Sequence, residues 1–423
     1  MRVPTCLLLL ALLCRGCSRA PETTIDPAIA TALAETKAID NHAHPVRPVG
    51  AGEAPDIGFD ALPVESLEAS SDLVRFRPGR PEFAEAGKAV FGDNRAVAVK
   101  AWGSNYAATV LDKAGIDRMV ANRVSMGPGL PGARFLWAAY ADALMYPFPT
   151  DGIAGNSDRK AFFALEAKLL PMYYGESGVP GRPGSLDEYL GKVVTATLER
   201  HKRDGAIAEK FEMAYLRPLA VGNPSKVDAE RVWRGAAANA SDYRVLQDYL
   251  FRYIALECGR LGMAVHIHTG MGAGGYYDTA GANPGLLEPL FNDPALRKTI
   301  FVMVHGGWPY SGTVAPLLVK PNAYVDFSAQ GLVLPASEIA RGMRSWLEMV
   351  PEKVLFGTDA YPFAPAAGMG WEETAWVSSQ TGRRALGMAL TAMVREGSVT
   401  QERAVEIGKM VLRGNAAKLY RLK

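Results

Sequence analysis

The sequence has little that would cross-link the folded chain or give it a strong charge of one sign. Only four of its 423 residues are cysteines, and three of these fall within the first 17 positions. Cys258 stands alone in the rest of the chain, which excludes an intramolecular disulfide framework there. The 46 basic and 44 acidic residues leave a net charge of +2, so nothing electrostatic favours a nucleic acid as partner. We expect a small-molecule substrate instead.

Long apolar runs are also lacking, and the run at the N-terminus is too short to span a bilayer. It covers residues 6–14 and follows a single arginine, as in a bacterial export signal. Gly16-Cys17 resembles the end of a lipoprotein signal, in which the cysteine is acylated, and cleavage after Ala20 is the alternative. We therefore expect a signal peptide over 1–20. The protein would be exported, periplasmic or on the outer surface, with membrane contact only through a lipid anchor at Cys17.

From residue 206 onward, short apolar runs bounded by turn residues alternate with helical stretches. The predicted strands are 36–44, 115–122, 134–140, 206–211, 263–268, 299–305, 323–327 and 353–358. Such alternation indicates an α/β fold with a parallel sheet, and eight strands indicate a (β/α)8 TIM barrel. We expect a single barrel domain over 26–423 that ends in helices from residue 371.

Parts of the chain interrupt this pattern. Residues 46–112 are rich in proline and glycine and include an amphipathic stretch at 94–112. We interpret this segment as an insertion over the barrel mouth rather than a second domain. Residues 171–183 predict a loop, and residues 285–296 predict a short helix. Because specificity resides in such loops, the sequence does not identify the substrate.

Histidine is scarce, yet five of the six histidines lie at the ends of predicted strands. They are His42, His44, His266, His268 and His305. In an extended strand, residues i and i+2 point the same way, so His42 and His44 can face one ion. A parallel barrel has its active site at the carboxyl ends of its strands, and Asp359 follows the last strand. The pattern predicts a site for a divalent transition metal.

Four short motifs resemble the amidohydrolase superfamily, and more narrowly its amidohydrolase-related (amidohydrolase 2) branch. They are H-x-H at 42–44, H-T-G at 268–270, H-G-G at 305–307 and T-D-A at 358–360. The resemblance runs from about residue 37 to the C-terminus and is weak between 46 and 200. It implies a metal-dependent hydrolase in which a metal-activated water attacks an amide, lactone or similar carbonyl bond. Zinc is the expected ion, with one or two ions per chain.

The same resemblance implies roles for individual residues. It gives metal ligands at five positions: His42, His44, His268, His305 and Asp359. His266, two residues before His268, is the alternative to it as the ligand of the fifth strand. His305 would bind the ion or polarise the substrate, and Asp359 would also act as general base.

Lys210, near the end of the fourth predicted strand, has two interpretations. In binuclear relatives a carboxylated lysine at this place bridges two ions; otherwise Lys210 pairs with a carboxylate or contacts substrate. Arg217 and Arg47 are candidates for holding a substrate carboxylate by a bidentate contact, and a structural salt bridge is the alternative for each. Such an arginine would suit a decarboxylase or a sugar-acid isomerase, the alternative reactions on this barrel. The sequence does not indicate the oligomeric state.

Overall fold

The computed structural model describes residues 24–47, 49, 56, 60, 62–71, 73–77, 80–362 and 369–422. The predicted signal peptide over 1–20, with Cys17, therefore lies outside the described residues. In the part of the chain that is described, no helix combines the length and apolar character needed to cross a membrane.

Eight parallel strands pair in chain order to form one sheet. They are β1 Ala38–Ala43, β2 Ile116–Asn122, β3 Phe135–Tyr140, β4 Ala206–Phe211, β5 Ala264–His268, β6 Ile300–Val304, β7 Ala323–Asp326 and β8 Val354–Leu355. Backbone bonds join the two edges of this sheet. Asn41 N–H donates to the Phe356 carbonyl over 2.8 Å, and Asp359 N–H donates to the His42 carbonyl over 2.7 Å. The sheet is a (β/α)8 barrel, which confirms the predicted fold.

Helices surround the barrel and connect its strands. In chain order they are α1 Pro27–Glu35, α2 Pro81–Phe91, α3 Arg95–Trp102, α4 Tyr106–Lys113, α5 Ser157–Glu176, α6 Leu186–Tyr189, α7 Ala196–Arg203, α8 Met213–Leu216, α9 Lys226–Arg234, α10 Ala240–Leu261, α11 Glu288–Phe291, α12 Ser311–Leu317, α13 Gln330–Val333, α14 Ala336–Met349, α15 Trp371–Arg395, α16 Gln401–Lys409 and α17 Asn415–Leu419. Wider π-turns at Leu190–Thr195 and Met410–Gly414 lead into α7 and α17.

Small apolar side chains fill the interior of the barrel. They are Ile39, Val120, Ala138, Ala208, Ala264, Val302, Val304 and Leu355. Side chains of α17 and of the residues after it, among them Ala416 and Tyr420, pack against this cluster near the amino ends of the strands. The barrel is therefore a packed core rather than a pore, and its polar groups are left for the carboxyl end.

Two local predictions were wrong. Residues 171–183 were expected to form a loop, but α5 continues through Pro171 to Glu176. Tertiary packing holds this last turn, because the Tyr173 hydroxyl donates to the carbonyl of Tyr140 over 2.7 Å. The single helix expected at 285–296 is instead a 3₁₀ turn, Pro284–Leu287, that runs into the one-turn helix α11 and, after a break, a further 3₁₀ turn at Pro294–Leu296. Prolines at 284, 289 and 294 lack the N–H groups that a continuous helix needs.

The segment predicted as an insertion, 46–112, is described in part and contains α2, α3 and most of α4. Glu68 connects it to two loops at the carboxyl end of the barrel. Its carbonyl accepts the N–H of Gly275 over 3.0 Å, and its N–H donates to Asp158 over 2.6 Å. Gly275 follows β5 and Asp158 begins α5, so residues around Glu68 lie against the loops of the mouth.

Candidate metal centre

Three polar side chains converge where β1 meets the segment after β8. The Asp359 Oδ1 atom lies 3.2 Å from His42 Nε2 and 3.3 Å from His44 Nε2. The two Nε2 atoms are 3.3 Å apart. The structure therefore brings together the two histidines at the end of β1 and the carboxylate that follows β8.

Carboxylates behind two of the histidines orient their rings. His44 Nδ1 lies 3.1 Å from Asp60 Oδ2. His305 Nδ1 lies 2.9 Å from the hydroxyl of Ser328, which donates to Asp326 over 2.5 Å. Because the hydroxyl gives its proton to Asp326, it accepts the Nδ1 proton of His305. Both rings thus have an oxygen beside Nδ1 that can take its proton, so Nε2 could give a lone pair to an ion that displaces any proton there.

Asn122 lies behind the third histidine. Its Nδ2 atom is 2.9 Å from His42 Nδ1 and 3.0 Å from the Ala43 carbonyl. Its buried Oδ1 atom has no hydrogen-bond partner among the residues that the structure describes. A half-turn of this amide would bring Oδ1 to Nδ1 and give His42 the same tautomer as the other two rings, at the expense of the bond to Ala43.

The glycines of two motifs are required by close packing of the backbone. Gly306 has φ +64°, and a Cβ there would lie 2.5 Å from the indole of Trp346. A Cβ on Gly270, with φ +76°, would lie 2.4 Å from the carbonyl carbon of Gly307. Only glycine allows the turns after β5 and β6 to approach each other so closely.

Threonines of two motifs also have structural partners. The Thr358 hydroxyl donates to Asp40, whose Oδ1 accepts the Thr358 N–H over 2.9 Å. The Thr269 hydroxyl donates to the Val304 carbonyl over 2.6 Å. The first contact joins β1 to the end of β8, and the second joins β5 to β6. Both threonines therefore fix the positions of strand ends that carry histidines.

Burial and neighbouring charges shift the titration of the cluster in different directions. Burial alone would lower the pKa of His44, but the carboxylates of Asp60 and Asp359 raise it to about 10. Burial lowers the pKa of His42 and of His305. Burial alone would raise the pKa of Asp359, but the neighbouring histidines hold it well below its usual range. At neutral pH the cluster thus holds an ionised carboxylate beside a protonated imidazole, where a metal ion would replace the proton.

The donor set fits a divalent transition ion. Ligand atoms at about 2.1 Å from a tetrahedral ion stand about 3.4 Å apart, close to the spacings around Asp359. Ligand atoms of His42, His305 and Asp359 all lie within 4.8 Å of one another. Imidazole and carboxylate are donors that zinc and similar ions accept. The residues present could therefore hold such an ion.

The opposite side of the mouth, at the ends of β4 and β5, is arranged differently. Lys210 Nζ contacts Glu212 Oε1, and both side chains are buried. His268 Nδ1 lies 3.2 Å from Glu212 Oε2, and its Nε2 donates to the Met271 carbonyl over 2.7 Å. Burial alone would raise the pKa of Glu212, but Lys210 and His268 hold it well below its ordinary value. Both nitrogens of His268 are thus engaged, although its ring centroid is 4.5 Å from that of His305.

His266, the alternative ligand of the fifth strand, lies deeper in the barrel. Its Nε2 is 2.7 Å from the hydroxyl of Tyr420, which donates to Asn41 over 2.5 Å. Its ring therefore belongs to a network that joins β5, β1 and the C-terminal end of the chain. His201, the remaining histidine, pairs with buried Glu209 over 3.0 Å.

The two arginines considered for substrate binding have carboxylate partners. Arg217 contacts Asp248, and it also donates to Gln247 over 3.2 Å. Arg47 Nε lies 3.5 Å from Asp56 Oδ1. Arg217 is buried, so its guanidinium serves the packing of α10 against the loop after β4.

Several partners of the predicted site were missed from the sequence. They are Asp60, Asn122, Tyr140, Glu212 and Ser328. For two of them, the position in the sequence indicated a place in the site. Glu212 lies two residues after Lys210 at the end of β4, and Ser328 lies two residues after Asp326 at the end of β7. Carboxylates and hydroxyls at strand ends of a parallel barrel are candidates for its site.

Comparison with known proteins relates the second half of the chain to a family. Residues 218–422 match the family model described as Amidohydrolase. The protein fluG of Emericella nidulans is 26% identical over 229 residues, a match that covers 50% of this chain and 25% of that protein. The matched region therefore spans about a quarter of the length of this curated relative.

Solved structures share the whole architecture at low sequence identity. A putative metal-dependent hydrolase from Lactobacillus casei superposes with a TM-score of 0.63 at 16% identity, over 94% of this chain and 98% of its own. A glucuronate isomerase from Caulobacter crescentus gives a TM-score of 0.62 at 14% identity, over 94% and 93%. These likenesses show the fold. The match of residues 218–422 to the family model agrees with the resemblance to the amidohydrolase superfamily that the motifs indicate.

Proposed function

We propose that the chain is a metal-dependent hydrolase that acts on an amide, lactone or similar carbonyl bond of a small molecule. The observation that carries this proposal is the position of Asp359. Its carboxylate lies against two imidazole nitrogens and is 14% exposed, whereas the side chains of His42 and His44 are 0% and 2% exposed. Of these three groups, Asp359 is the one that incoming water or substrate can reach.

The ion and the residues of the site have different roles in the proposed reaction. A bound zinc-type ion would supply a positive charge that polarises a carbonyl oxygen and lowers the pKa of water to about 7. Asp359 is ionised at neutral pH, because the histidines hold its pKa low. Its carboxylate accepts a proton from the attacking water and passes it to the leaving group. The tautomer of His305 favours a role as ligand, since the proton on Nδ1 is directed to Ser328 and away from a substrate.

The arginines favour hydrolysis over the alternative reactions. A decarboxylase or a sugar-acid isomerase on this barrel would need a group that holds a substrate carboxylate. Arg217, the candidate from the sequence, instead contacts Asp248 and Gln247 and is buried. Arg47 lies beside Asp56. An arginine that already neutralises a buried carboxylate is costly to redirect to a substrate.

The reaction class can be tested by following the oxygen of water. The purified, zinc-loaded protein would be incubated with a panel of N-acyl amides, lactones and small aromatic and sugar acids in ¹⁸O-labelled water. We expect one labelled oxygen in the acid product of an amide or a lactone. Release of carbon dioxide, or isomerisation of a sugar acid without label, would overturn hydrolysis in favour of the alternatives.

The cellular location and the partners of the protein are also part of the proposal. We propose export through the N-terminal signal, retention by a lipid on Cys17, and a small-molecule substrate with no nucleic-acid partner. Labelling with radioactive palmitate in a bacterial host, compared between the natural chain and Cys17→Ala, tests the anchor. Equal labelling of the two would contradict it.

A further inference from the structure

Asp158, in the first turn of α5, is bonded to two separate segments at the mouth of the barrel. Its Oδ1 atom accepts the Glu68 N–H over 2.6 Å, and its Oδ2 atom accepts the Tyr276 N–H over 2.8 Å. Glu68 lies in the segment before α2, and Tyr276 lies in the loop after β5. Asp158 is 5% exposed, so one buried carboxylate joins the two segments.

The two segments also contact each other directly. The carbonyl of Glu68 accepts the Gly275 N–H over 3.0 Å. Gly274 has φ +99°, and a Cβ there would lie 2.5 Å from Asp158 Oδ2. A Cβ on Gly275 would lie 3.1 Å from the carbonyl oxygen of Ala69. The absence of side chains at both glycines therefore allows the loop after β5 to approach Asp158 and the segment around Glu68 closely.

Each segment also contacts a histidine of the barrel mouth. Asp60, shortly before Glu68 in the chain, has its Oδ2 atom 3.1 Å from His44 Nδ1. Met271, in the loop after β5, accepts a hydrogen bond from His268 Nε2 over 2.7 Å. The rings of four histidines form a row with successive centroids 5.0, 4.9 and 4.5 Å apart, in the order His44, His42, His305 and His268. The two segments thus contact opposite ends of this row and meet at Glu68.

Asp158 accepts two of the three hydrogen bonds that hold the segments together. A carboxylate accepts a stronger hydrogen bond from a backbone N–H than a neutral carbonyl does. Asp158 itself contacts backbone groups of the two segments, and none of its printed hydrogen bonds reaches a histidine of the row. A change at Asp158 should therefore loosen the contact between the segments and leave the metal-ligand candidates in place.

We propose that Asp158 is a positioning residue that controls access to the candidate metal centre. By holding both segments, it keeps the opening over the row of histidines narrow, and an ion or substrate enters when these bonds break. The inference rests on the proposed metal-dependent function, because the site to which access is controlled is the one that binds the ion.

Amide hydrogen exchange tests whether Asp158 joins the segments. Asp158→Asn keeps the size of the side chain but offers one acceptor oxygen, so one of the two N–H groups loses its partner. In the full-length protein, the amides of Glu68, Gly275 and Tyr276 should exchange faster by about tenfold. This readout needs neither a metal nor a substrate.

Asn156→Ala is the matched control. Asn156 caps the same helix by accepting the Arg159 N–H over 2.9 Å, so its loss weakens the start of α5 without removing an acceptor from either segment. Exchange at the three amides should stay as in the natural chain.

Zinc kinetics test the control of access. Stopped-flow mixing with zinc, and with a chromogenic chelator for the reverse step, gives the rates of binding and release. Both rates should rise by the same factor of about ten in Asp158→Asn, because both steps pass through the same opening. The dissociation constant should then stay within about twofold of its natural value. A change in the ligands themselves would raise the dissociation constant instead.

The outcomes separate this inference from the proposed function. A natural chain that binds no zinc would overturn the proposed function. If the natural chain binds zinc, unchanged exchange or unchanged zinc rates in Asp158→Asn would overturn the inference alone. Equal effects of Asn156→Ala would also overturn it, since they would assign the change to the start of α5.

A second variant serves if Asp158→Asn does not fold. Gly274→Ala places a methyl group against Asp158 Oδ2 and pushes the loop away from it. The same faster exchange and the same parallel rise in both zinc rates are expected, and natural values of both would count against the inference.

Discussion

The β1–β8 side and the β4–β5 side of the barrel mouth use the same kinds of residue in different ways. On the β1–β8 side, His42 at the end of β1 and His44 just after it direct their Nε2 atoms toward one carboxylate oxygen of Asp359. On the β4–β5 side, Lys210 and His268 both contact Glu212, and His268 Nε2 donates to a backbone carbonyl. On the β1–β8 side, nitrogen atoms point toward one place. On the β4–β5 side, each charged side chain pairs with one of opposite charge.

The β1–β8 side is therefore suited to binding an ion, whereas the β4–β5 side is a set of charge pairs. An ion needs lone pairs that converge. The partners behind His44 and His305 allow Nε2 to provide them, and the half-turn of the Asn122 amide would do the same for His42. A buried lysine beside a buried glutamate is already neutralised, so it does not need an ion for compensation. We therefore expect one metal ion per chain, bound on the β1–β8 side. The pair on the β4–β5 side then shapes the mouth.

The largest expected effect is that of Asp359→Asn. An amide cannot accept the proton of the attacking water, so kcat should fall by about 10²- to 10⁴-fold. Much of the metal should stay bound, because the histidines remain. Steady-state kinetics and elemental analysis of the same preparation measure both quantities. Asp204→Asn, which changes an exposed aspartate just before β4, should leave both unchanged. Full activity of Asp359→Asn would refute its role as base.

Next in size is the effect of Lys210→Met on stability. The change leaves Glu212 buried without its main cation, so the free energy of unfolding should fall by about 3–5 kcal/mol. Denaturant titration measures this fall. The metal content should remain about one ion per chain, since the ion lies on the other side of the mouth.

The double variant Lys210→Met/Glu212→Gln is the control for this prediction. It removes both charges, and it should recover most of the lost stability. A metal content that falls from about two ions to about one in Lys210→Met would instead show that Lys210 bridges two ions. The comparison between the two sides of the mouth would then fail.

The barrel itself was predictable because each strand has a local signal. β4, for example, was predicted at 206–211 and runs from Ala206 to Phe211. The partners behind the histidines were not predictable in this way. Tyr140, whose hydroxyl lies 3.3 Å from His44 Nδ1, is 96 residues away in the chain. Its position depends on the pairing of β2 with both β1 and β3, which no local pattern expresses.

Pro171 illustrates a second limit of the sequence. Proline predicts the end of a helix, because its ring clashes with the preceding turn and it lacks an N–H. The bond from the Tyr173 hydroxyl to β3 nevertheless keeps α5 continuous past this residue. Long-range contacts thus overrode a local rule.

Two buried glutamates with opposite pKa shifts extend the comparison to the pH dependence of stability. Glu212 lies beside Lys210 and has a low pKa, whereas Glu372, at the start of α15, has its pKa raised by burial to about 7 despite the nearby Arg95. The folded protein therefore holds the Glu372 proton more tightly than the unfolded chain between pH 4.5 and about 7. The free energy of unfolding should fall as the pH rises through this window, by about 2 kcal/mol between pH 5 and 8.

Glu372→Gln removes this titration, so its stability should depend less on pH over the same range. Denaturant titrations of both proteins at several pH values measure the difference. Glu352→Gln, at a half-exposed position, should leave the pH dependence as it is. A fall with pH that is equally steep in Glu372→Gln would show that another group is responsible.

The smallest expected effect is that of Ser328→Ala, which tests how the β1–β8 side orients its histidines. The hydroxyl of Ser328 accepts the Nδ1 proton of His305, so its loss removes the bond that fixes this tautomer. We expect metal affinity to fall by about tenfold, measured by competition with a chromogenic chelator. Thr299→Val, just before β6, is the matched control, because it removes a buried hydroxyl that donates to the Ala255 carbonyl, and it should lower stability without changing metal affinity. If both variants bind the ion as the natural chain does, His305 does not hold it through Nε2. The ion would then be bound by His42, His44 and Asp359.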